Sequence, residues 1–124
     1  MRTVVAIALA GAAGALTRYG LEGLVSRRAT GAFPWGTFAV NVSGAFVLGF
    51  VFTVTTEQLT TAPWLRAALT IGFLGAYTTF STLSLETYRL VEDGALGIAA
   101  ANALGSLAAG LGAVYLGVVA GRAL

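Results

Sequence analysis

Four long apolar stretches, separated by short polar breaks, constrain the fold of this chain more than any other feature. They cover residues 3–25, 35–56, 64–90 and 95–121. About 20 apolar residues are enough for a helix to cross a membrane, and each stretch is at least that long. The breaks between them contain the segments SRRATGAFP, TEQLTTAP and VEDG. We therefore predict an all-α membrane protein with a single domain over residues 1–124 and four transmembrane helices per chain.

The composition supports lipid as the surrounding solvent and removes several classes of function. The chain is 57% hydrophobic and 10% charged, whereas soluble domains carry about 25% charged residues. It contains neither cysteine nor histidine, so disulfides, thiolate and imidazole metal ligands and the usual general base are all absent. The net charge of +2 is small and scattered and gives no indication of nucleic-acid binding. We expect a multi-pass protein of the cell (plasma or inner) membrane that is not an enzyme.

Sequence signals also suggest where the helices begin. Pro34-Trp35 and Pro63-Trp64 each follow a polar break. Proline suits the first turn of a helix, and tryptophan suits the membrane interface. The N-terminal segment MRTVVAIALAGAAGALT resembles a signal peptide. Its removal would leave no soluble domain to secrete, so a retained first helix is the simpler interpretation.

The arginines give no preferred orientation in the membrane. All seven basic residues are arginine; Arg18 lies inside the first span, and the four predicted spans place three of the other six on each side. One side holds Arg2, Arg66 and Arg122, and the other holds Arg27, Arg28 and Arg89. The positive-inside rule therefore does not choose between the two topologies. Weak statistics would explain this balance, but we favour a second hypothesis, in which the chain inserts both ways and forms an antiparallel, dual-topology homodimer.

Small residues recur at helical spacing and predict close helix packing. In the fourth span, positions 101, 105, 109, 113, 117 and 121 are all alanine or glycine, and in the first span Ala6, Ala10 and Gly14 repeat the pattern. A spacing of four residues keeps such positions on one helix face, and in lipid small residues let helix backbones approach. Packing alone explains these stripes. Four tightly packed helices enclose little space, which again favours a dimer.

The few polar residues inside the spans occur in pairs four residues apart. The pairs are Arg18 and Glu22, Thr37 and Asn41, and Asn102 and Ser106. A polar group facing hydrocarbon without a partner costs several kcal/mol, so each must face protein or water. The two asparagines are explained either by hydrogen bonds between helices or by a functional role. The first pair is explained either by a local ion pair or by a functional role.

The segment GFLGAYTTFSTLSLETY, residues 72–88, combines two glycines with a cluster of hydroxyl groups around Phe80. A back-bond to the carbonyl four residues earlier explains one or two such hydroxyls, but not five. We predict that the third helix is broken here, because irregular backbone at membrane depth occurs where it is buried in protein or lines a wet cavity. A break exposes carbonyls to cations and N–H groups to anions. From the residues alone, we predict a small homodimeric protein that moves a small ion.

Several motifs give a more specific expectation. GALTRYG at 14–20, GTFAVNVSGAF at 36–46, GFLGAYTTFST at 72–82 and NALGSLAAGLGAVYLG at 102–117 together resemble the Fluc/CrcB family of fluoride channels. The resemblance covers all four spans. It implies an antiparallel dual-topology homodimer in the lipid membrane with two fluoride pores and a structural sodium ion at the central interface.

The resemblance also implies roles for individual residues. It implies that the backbone carbonyls of Gly75 and Thr78 of both subunits hold the sodium ion. It implies that the ring edge of Phe80 and the amide of Asn41 face the fluoride path, and that Arg18 lies in the vestibule. The hydroxyls of the pore track map onto Thr82 and Ser106.

The sequence departs from the family pattern at three positions of the implied fluoride pore. Leu83 stands where many members have a second phenylalanine, and it lacks a polarised ring edge. Asn102 and Gly110 stand where tyrosine and serine are common. The pore track is therefore expected to differ in detail, with lower throughput as one consequence.

Two other functions remain open from the sequence, besides the choice between channel and exchanger. A small multidrug-type transporter, which exchanges protons for cations, is also a four-helix dual-topology dimer, and Glu22 is its only candidate carboxylate here. A membrane assembly subunit that transports nothing is the second alternative.

Overall fold

The computed structural model describes residues 1–124, and its regular structure is all helical, with four rods long and apolar enough to cross a membrane. The first and last rods are α1 (Arg2–Arg28) and α6 (Leu96–Arg122). The second is α2 (Trp35–Thr53), extended by a π-helical turn at Val54–Gln58. The third consists of α3 (Pro63–Ala67), a π-helical segment (Ala68–Leu74), α4 (Gly75–Tyr77) and α5 (Phe80–Glu92). The prediction of four membrane-length apolar helices is confirmed.

The helices begin where the proline signals indicated. Pro34 immediately precedes α2, and Pro63 is the first residue of α3, where its missing N–H costs no helical hydrogen bond. The turns before α2 and α6 contain Gly31 and Gly94, whose φ angles are +84° and +75°. These angles lie in the left-handed region that glycine adopts without a steric penalty.

Glycines bring the backbones of α2 and α6 into direct contact. Gly117 faces the carbonyl of Phe46 so closely that a Cβ atom there would collide with it, and Gly49 faces the carbonyl of Val114 in the same way. In the predicted small-residue stripe, positions 113, 117 and 121 are buried, positions 105 and 109 are half-buried, and position 101 is exposed. This contact is a close backbone packing of the kind that small residues allow in lipid.

A second set of glycines joins α1 to the π-helical segment of the third rod. Gly14 lies against the carbonyl of Phe73, and a Cβ atom at Gly72 would lie 2.8 Å from the carbonyl oxygen of Ile7. The sequence stripe in α1 predicted a packing face, and Gly14 is the one fully buried residue of that helix. The sequence pattern did not predict the π-helical geometry of this segment.

Helical geometry is interrupted at two residues of the third rod. Thr78 has φ −88° and ψ 155°, and Thr79 has φ −149° and ψ 112°, which are extended conformations. A new helix, α5, then begins at Phe80, and the Thr79 side chain accepts a hydrogen bond from the N–H of Thr82 as its N-cap. The interruption lies close to a small core formed by Val40, Leu74 and Tyr77.

Two side-chain contacts mark one end of the bundle. The guanidinium of Arg2 lies 6.0 Å from the ring centroid of Trp64, and Arg122 forms an exposed ion pair with Glu57 at 2.9 Å. The start of α1, the end of the second rod, the start of α3 and the end of α6 therefore share one end. This arrangement agrees with the predicted grouping of Arg2, Arg66 and Arg122.

Candidate functional site

The side chain of Asn41 holds the interruption in the third rod. The N–H of Thr79 donates to Asn41 Oδ1 at 2.7 Å, and Asn41 Nδ2 donates to the carbonyl of Thr79 at 3.1 Å. One amide side chain on α2 thus satisfies both backbone groups of a residue that has no helical partner. An amide nitrogen carries two N–H donors, so one donor of Asn41 is used here and one remains.

At the interruption, two backbone N–H groups donate to side chains and not to the carbonyls that they would pair with in a helix. In a helix, the carbonyl of Gly75 would accept from Thr79, and that of Thr78 would accept from Thr82. Here the N–H of Thr79 donates to Asn41, and the N–H of Thr82 donates to Thr79 Oγ1 at 3.2 Å. The N–H of Thr78, the next nearest donor to the first carbonyl, donates to Leu74. The carbonyls of Gly75 and Thr78 therefore lack their usual helical partners.

An open groove of about 760 Å³ runs between α5 and α6 with α2 behind it. It gathers five of the residues predicted for an ion site: Asn41, Thr78, Phe80, Leu83 and Ser106. Most of its remaining lining is apolar, and no lysine, arginine, aspartate or glutamate lines it. The groove therefore offers a few neutral polar groups on an apolar wall.

Phe80 is the most exposed predicted site residue. It is the first residue of α5, and 82% of its surface is accessible. No other part of this chain covers the ring, so it is free to contact an ion or another molecule.

Thr82 lies next to the groove but does not line it. Thr79 Oγ1 donates to Thr82 Oγ1 at 3.1 Å, so the Thr82 oxygen acts as an acceptor. The Thr82 hydroxyl can still donate its own proton, since a hydroxyl has one donor and two acceptor positions.

Asn102 is placed behind the wall of the groove and not in it. Its side chain is fully buried and donates from Nδ2 to Thr87 Oγ1 at 2.9 Å. It also accepts from Ser106 Oγ, at 3.4 Å. Thr87 carries no signal in the sequence, because its pairing with a residue 15 positions later depends on how α5 and α6 are rotated against each other.

Arg18 lines a separate cavity of about 360 Å³ on α1, together with Glu22 and Tyr19. The local ion pair considered for Arg18 and Glu22 does not form, since the chain's one salt bridge is between Arg122 and Glu57. Instead, Arg18 Nε is buried without a partner, and the Glu22 side chain lies against the backbone of Gly36. A helical pair with the base before the acid is the less favourable order.

A second carboxylate inside the spans was missed. Glu86 Oε1 accepts a hydrogen bond from Thr37 Oγ1 at 2.8 Å, while its other oxygen, Oε2, is buried without a partner. Glu86 belongs to the third rod, Pro63–Glu92, so the expectation that Glu22 is the only candidate carboxylate was wrong. The only sequence signal for the pairing of Thr37 with Glu86 was that Thr37 lies on the same helix face as Asn41.

Residues 5–118 match the family described as CrcB-like protein, Camphor Resistance (CrcB). The chain is 50% identical over 124 residues to the "Fluoride-specific ion channel FluC" of Geotalea uraniireducens strain Rf4, covering 100% of both chains. It is 51% identical to the protein of that name from Geobacter sp. strain M21, again over 100% of both. The protein of that name from Geobacter sulfurreducens is 48% identical over 124 residues.

Proposed function

This chain belongs to the CrcB-like protein family, and from that membership we propose that it is a fluoride-selective ion channel. It would let fluoride leave the cytoplasm passively across the inner (plasma) membrane, and so lower the internal concentration. The names of the relatives support this proposal, because they describe fluoride-specific ion channels at about half identity over the whole chain. Those names also agree with the expectation that the chain is not an enzyme.

The observation that carries the proposal is the uncharged groove beside the interruption, in which a few polar groups stand on an apolar wall. A small anion such as fluoride gives up its water only where other donors replace it. Asn41, Ser106 and Phe80 line the groove and offer an amide N–H, a hydroxyl and a positive ring edge, and Thr82 next to the groove offers a second hydroxyl. Each is weak, and no cation lines the groove to trap the anion. Leu83 supplies an apolar wall where a second ring edge is more usual.

We further propose that the active form is an antiparallel, dual-topology homodimer. The groove is open along one side, and the Phe80 ring projects from the chain without a partner. A second copy inserted in the opposite orientation would cover these groups and complete two ion paths. The equal division of arginines between the two ends supports insertion in both orientations.

A structural sodium ion at the dimer interface is the third part of the proposal. The carbonyls of Gly75 and Thr78, whose usual N–H partners are diverted, would hold it together with the same two carbonyls of the partner. Sodium is a hard cation that prefers oxygen ligands, and uncapped main-chain carbonyls at a helix break suit it. When bound, the ion supplies a fixed positive charge between the subunits.

Arg18 is proposed to attract anions toward the path. It lines the cavity on α1 with part of its guanidinium unpaired. A fixed cation in a cleft raises the local concentration of anions. In this arrangement an anion meets Arg18 before it enters the groove. Strong binding of the anion at Arg18 would therefore not block permeation through the groove.

The experiment that tests the function is fluoride efflux from liposomes containing the purified protein. Fluoride should leave without any proton gradient, while chloride in matched liposomes should not. A proton-coupled cation transporter would instead require a proton gradient and would lose transport on Glu22→Gln or Glu86→Gln. Absence of any ion flux from folded, reconstituted protein would favour the assembly-subunit alternative.

A further inference from the structure

Many hydroxyl groups in the spans of this chain are bonded to their own helix backbone and are not free to bind an ion. Each of seven serine or threonine side chains donates its proton to the carbonyl four residues earlier, at distances of 2.6–3.0 Å. This back-bonding is common for hydroxyl residues in membrane helices. The seven are Thr17, Thr55, Thr56, Thr70, Thr78, Ser84 and Thr87. Ser106 is an exception, since its proton goes to the side chain of Asn102.

Thr87 determines which way the Asn102 amide faces. The Thr87 proton is used at 2.8 Å on the carbonyl of Leu83. The Thr87 oxygen can therefore only accept a further hydrogen bond, and the group of Asn102 that faces it at 2.9 Å must be the NH₂. The carbonyl oxygen of the Asn102 side chain is consequently directed to Ser106. These bonds remove the usual ambiguity between the two ends of an amide.

The last bond of this chain of contacts is the weakest one. Ser106 Oγ lies 3.4 Å from Asn102 Oδ1, which is longer than the roughly 2.5–3.0 Å usual for a hydroxyl donor. Ser106 and Thr87 both line the groove, but Asn102 is fully buried behind it. The Ser106 proton is thus held loosely, next to the space where an anion would pass.

We propose that Thr87 is a positioning residue for anion permeation and acts through Asn102 on Ser106. The oriented amide offers the Ser106 hydroxyl a weak partner, which keeps its proton off the carbonyl of the preceding turn. When an anion enters the groove, the hydroxyl turns toward it at little cost. Without this support, Ser106 would form the same back-bond as the other seven hydroxyls and would cease to be a donor. The proposal rests on the proposed fluoride conduction.

Fluoride efflux from proteoliposomes tests the proposal, because two substitutions that remove the same donor should not have additive effects on the efflux rate. The variants are Thr87→Val, which keeps the shape and removes the hydroxyl, Thr87→Ser, which keeps the hydroxyl, and Ser106→Ala. Loss of one weak donor should slow efflux about fivefold in Thr87→Val and in Ser106→Ala. Efflux by Thr87→Ser should stay near wild type. The double variant Thr87→Val/Ser106→Ala should be no slower than Ser106→Ala alone, because both changes remove the same donor.

The matched control is Thr17→Val, an isosteric change of an exposed hydroxyl on α1 that is already back-bonded, and it should leave efflux unchanged. If Thr87→Val does not fold, Asn102→Leu takes its place in the same cycle. Independent, multiplying effects of Thr87→Val and Ser106→Ala would overturn the proposal, as would equal losses in Thr87→Val and Thr87→Ser. Absence of fluoride efflux from the wild type would instead overturn the proposed function, and this inference with it.

Discussion

At the scale of single residues, the ring of Phe80 connects the fold to the proposed conduction. Its place at the start of α5, directly after two extended residues, projects it out of the chain. Aromatic rings have a negative face and a positive edge. The ring can therefore stabilise an anion by its edge without carrying a charge that would hold the ion.

The first prediction concerns this ring edge. Phe80→Ile keeps an apolar side chain but removes the edge, and it should slow fluoride efflux about tenfold. Size-exclusion chromatography should show an unchanged assembly. Phe52→Ile is the control, because Phe52 is also exposed but lies outside the groove, and its efflux should match wild type. Wild-type efflux by Phe80→Ile would remove the ring from the ion path.

The second prediction concerns Asn41. Asn41→Asp keeps an acceptor for the N–H of Thr79 and loses both amide donors. Two like charges about 4 Å apart repel by about 4 kcal/mol at an effective dielectric of about 20. Fluoride efflux should therefore fall at least about a hundredfold. Thermal unfolding in detergent should show that the fold survives, and efflux close to wild type would show that fluoride does not pass near this side chain.

At the scale of elements, part of the site was predictable from the sequence and part was not. Asn41, Phe80 and Ser106 were identified because polar or aromatic residues inside apolar spans stand out locally, and all three line one groove. The pairings of Thr87 with Asn102 and of Thr37 with Glu86 were missed, since they depend on helix rotation. Spacing places a residue on a helix face but does not say which neighbour that face meets.

The geometry of the helices was likewise predictable from the sequence only in part. The four spans follow from hydropathy, and the cluster of glycines and hydroxyls indicated irregular backbone near residues 72–82. The π-helical turns at Val54–Gln58 and Ala68–Leu74 have no periodicity that a short sequence reveals. The second of them packs closely against α1, where a Cβ atom at Gly72 would lie 2.8 Å from the carbonyl oxygen of Ile7, and such a contact exists only in the packed bundle.

The third prediction tests that packing. Gly117→Ala places a methyl group against the carbonyl of Phe46 and should cost about 1–3 kcal/mol of folding free energy, seen as earlier thermal unfolding in detergent. Gly112→Ala on the same helix meets nothing within 4 Å. It should be neutral or stabilise by up to about 1 kcal/mol, the difference in helix propensity. Equal unfolding temperatures for the two variants would contradict the proposed backbone contact.

At the scale of the whole molecule, the even distribution of arginines is the feature that supports the proposed antiparallel assembly. The two ends of the bundle differ in their side chains but not in their number of arginines. A chain of this kind has no strong electrostatic reason to insert one way, and an inverted pair can form from a single gene product.

The fourth prediction follows from that balance. Two or three arginines added to the 26–31 loop should fix one orientation, because short cytoplasmic loops retain positive charge. Fluoride efflux should then be largely lost, and co-expression with a variant biased at the opposite end should restore it. Cysteine-accessibility labelling would report the orientation, since the wild type has no cysteine. Full efflux from a population in one orientation would rule out the antiparallel dimer.

The interruption at Thr78 and Thr79 has a consequence for the electric field inside the membrane. The helical stretch that ends at Tyr77 presents carbonyl groups there, and α5 presents N–H groups from Phe80 onward. Aligned peptide dipoles give helix ends about half an elementary charge, negative at the C-terminus and positive at the N-terminus. Two opposite poles therefore meet within two residues, and a cation and an anion can each find a favourable pole there. Neither pole belongs to an ionisable group, so changes in external acidity leave both in place.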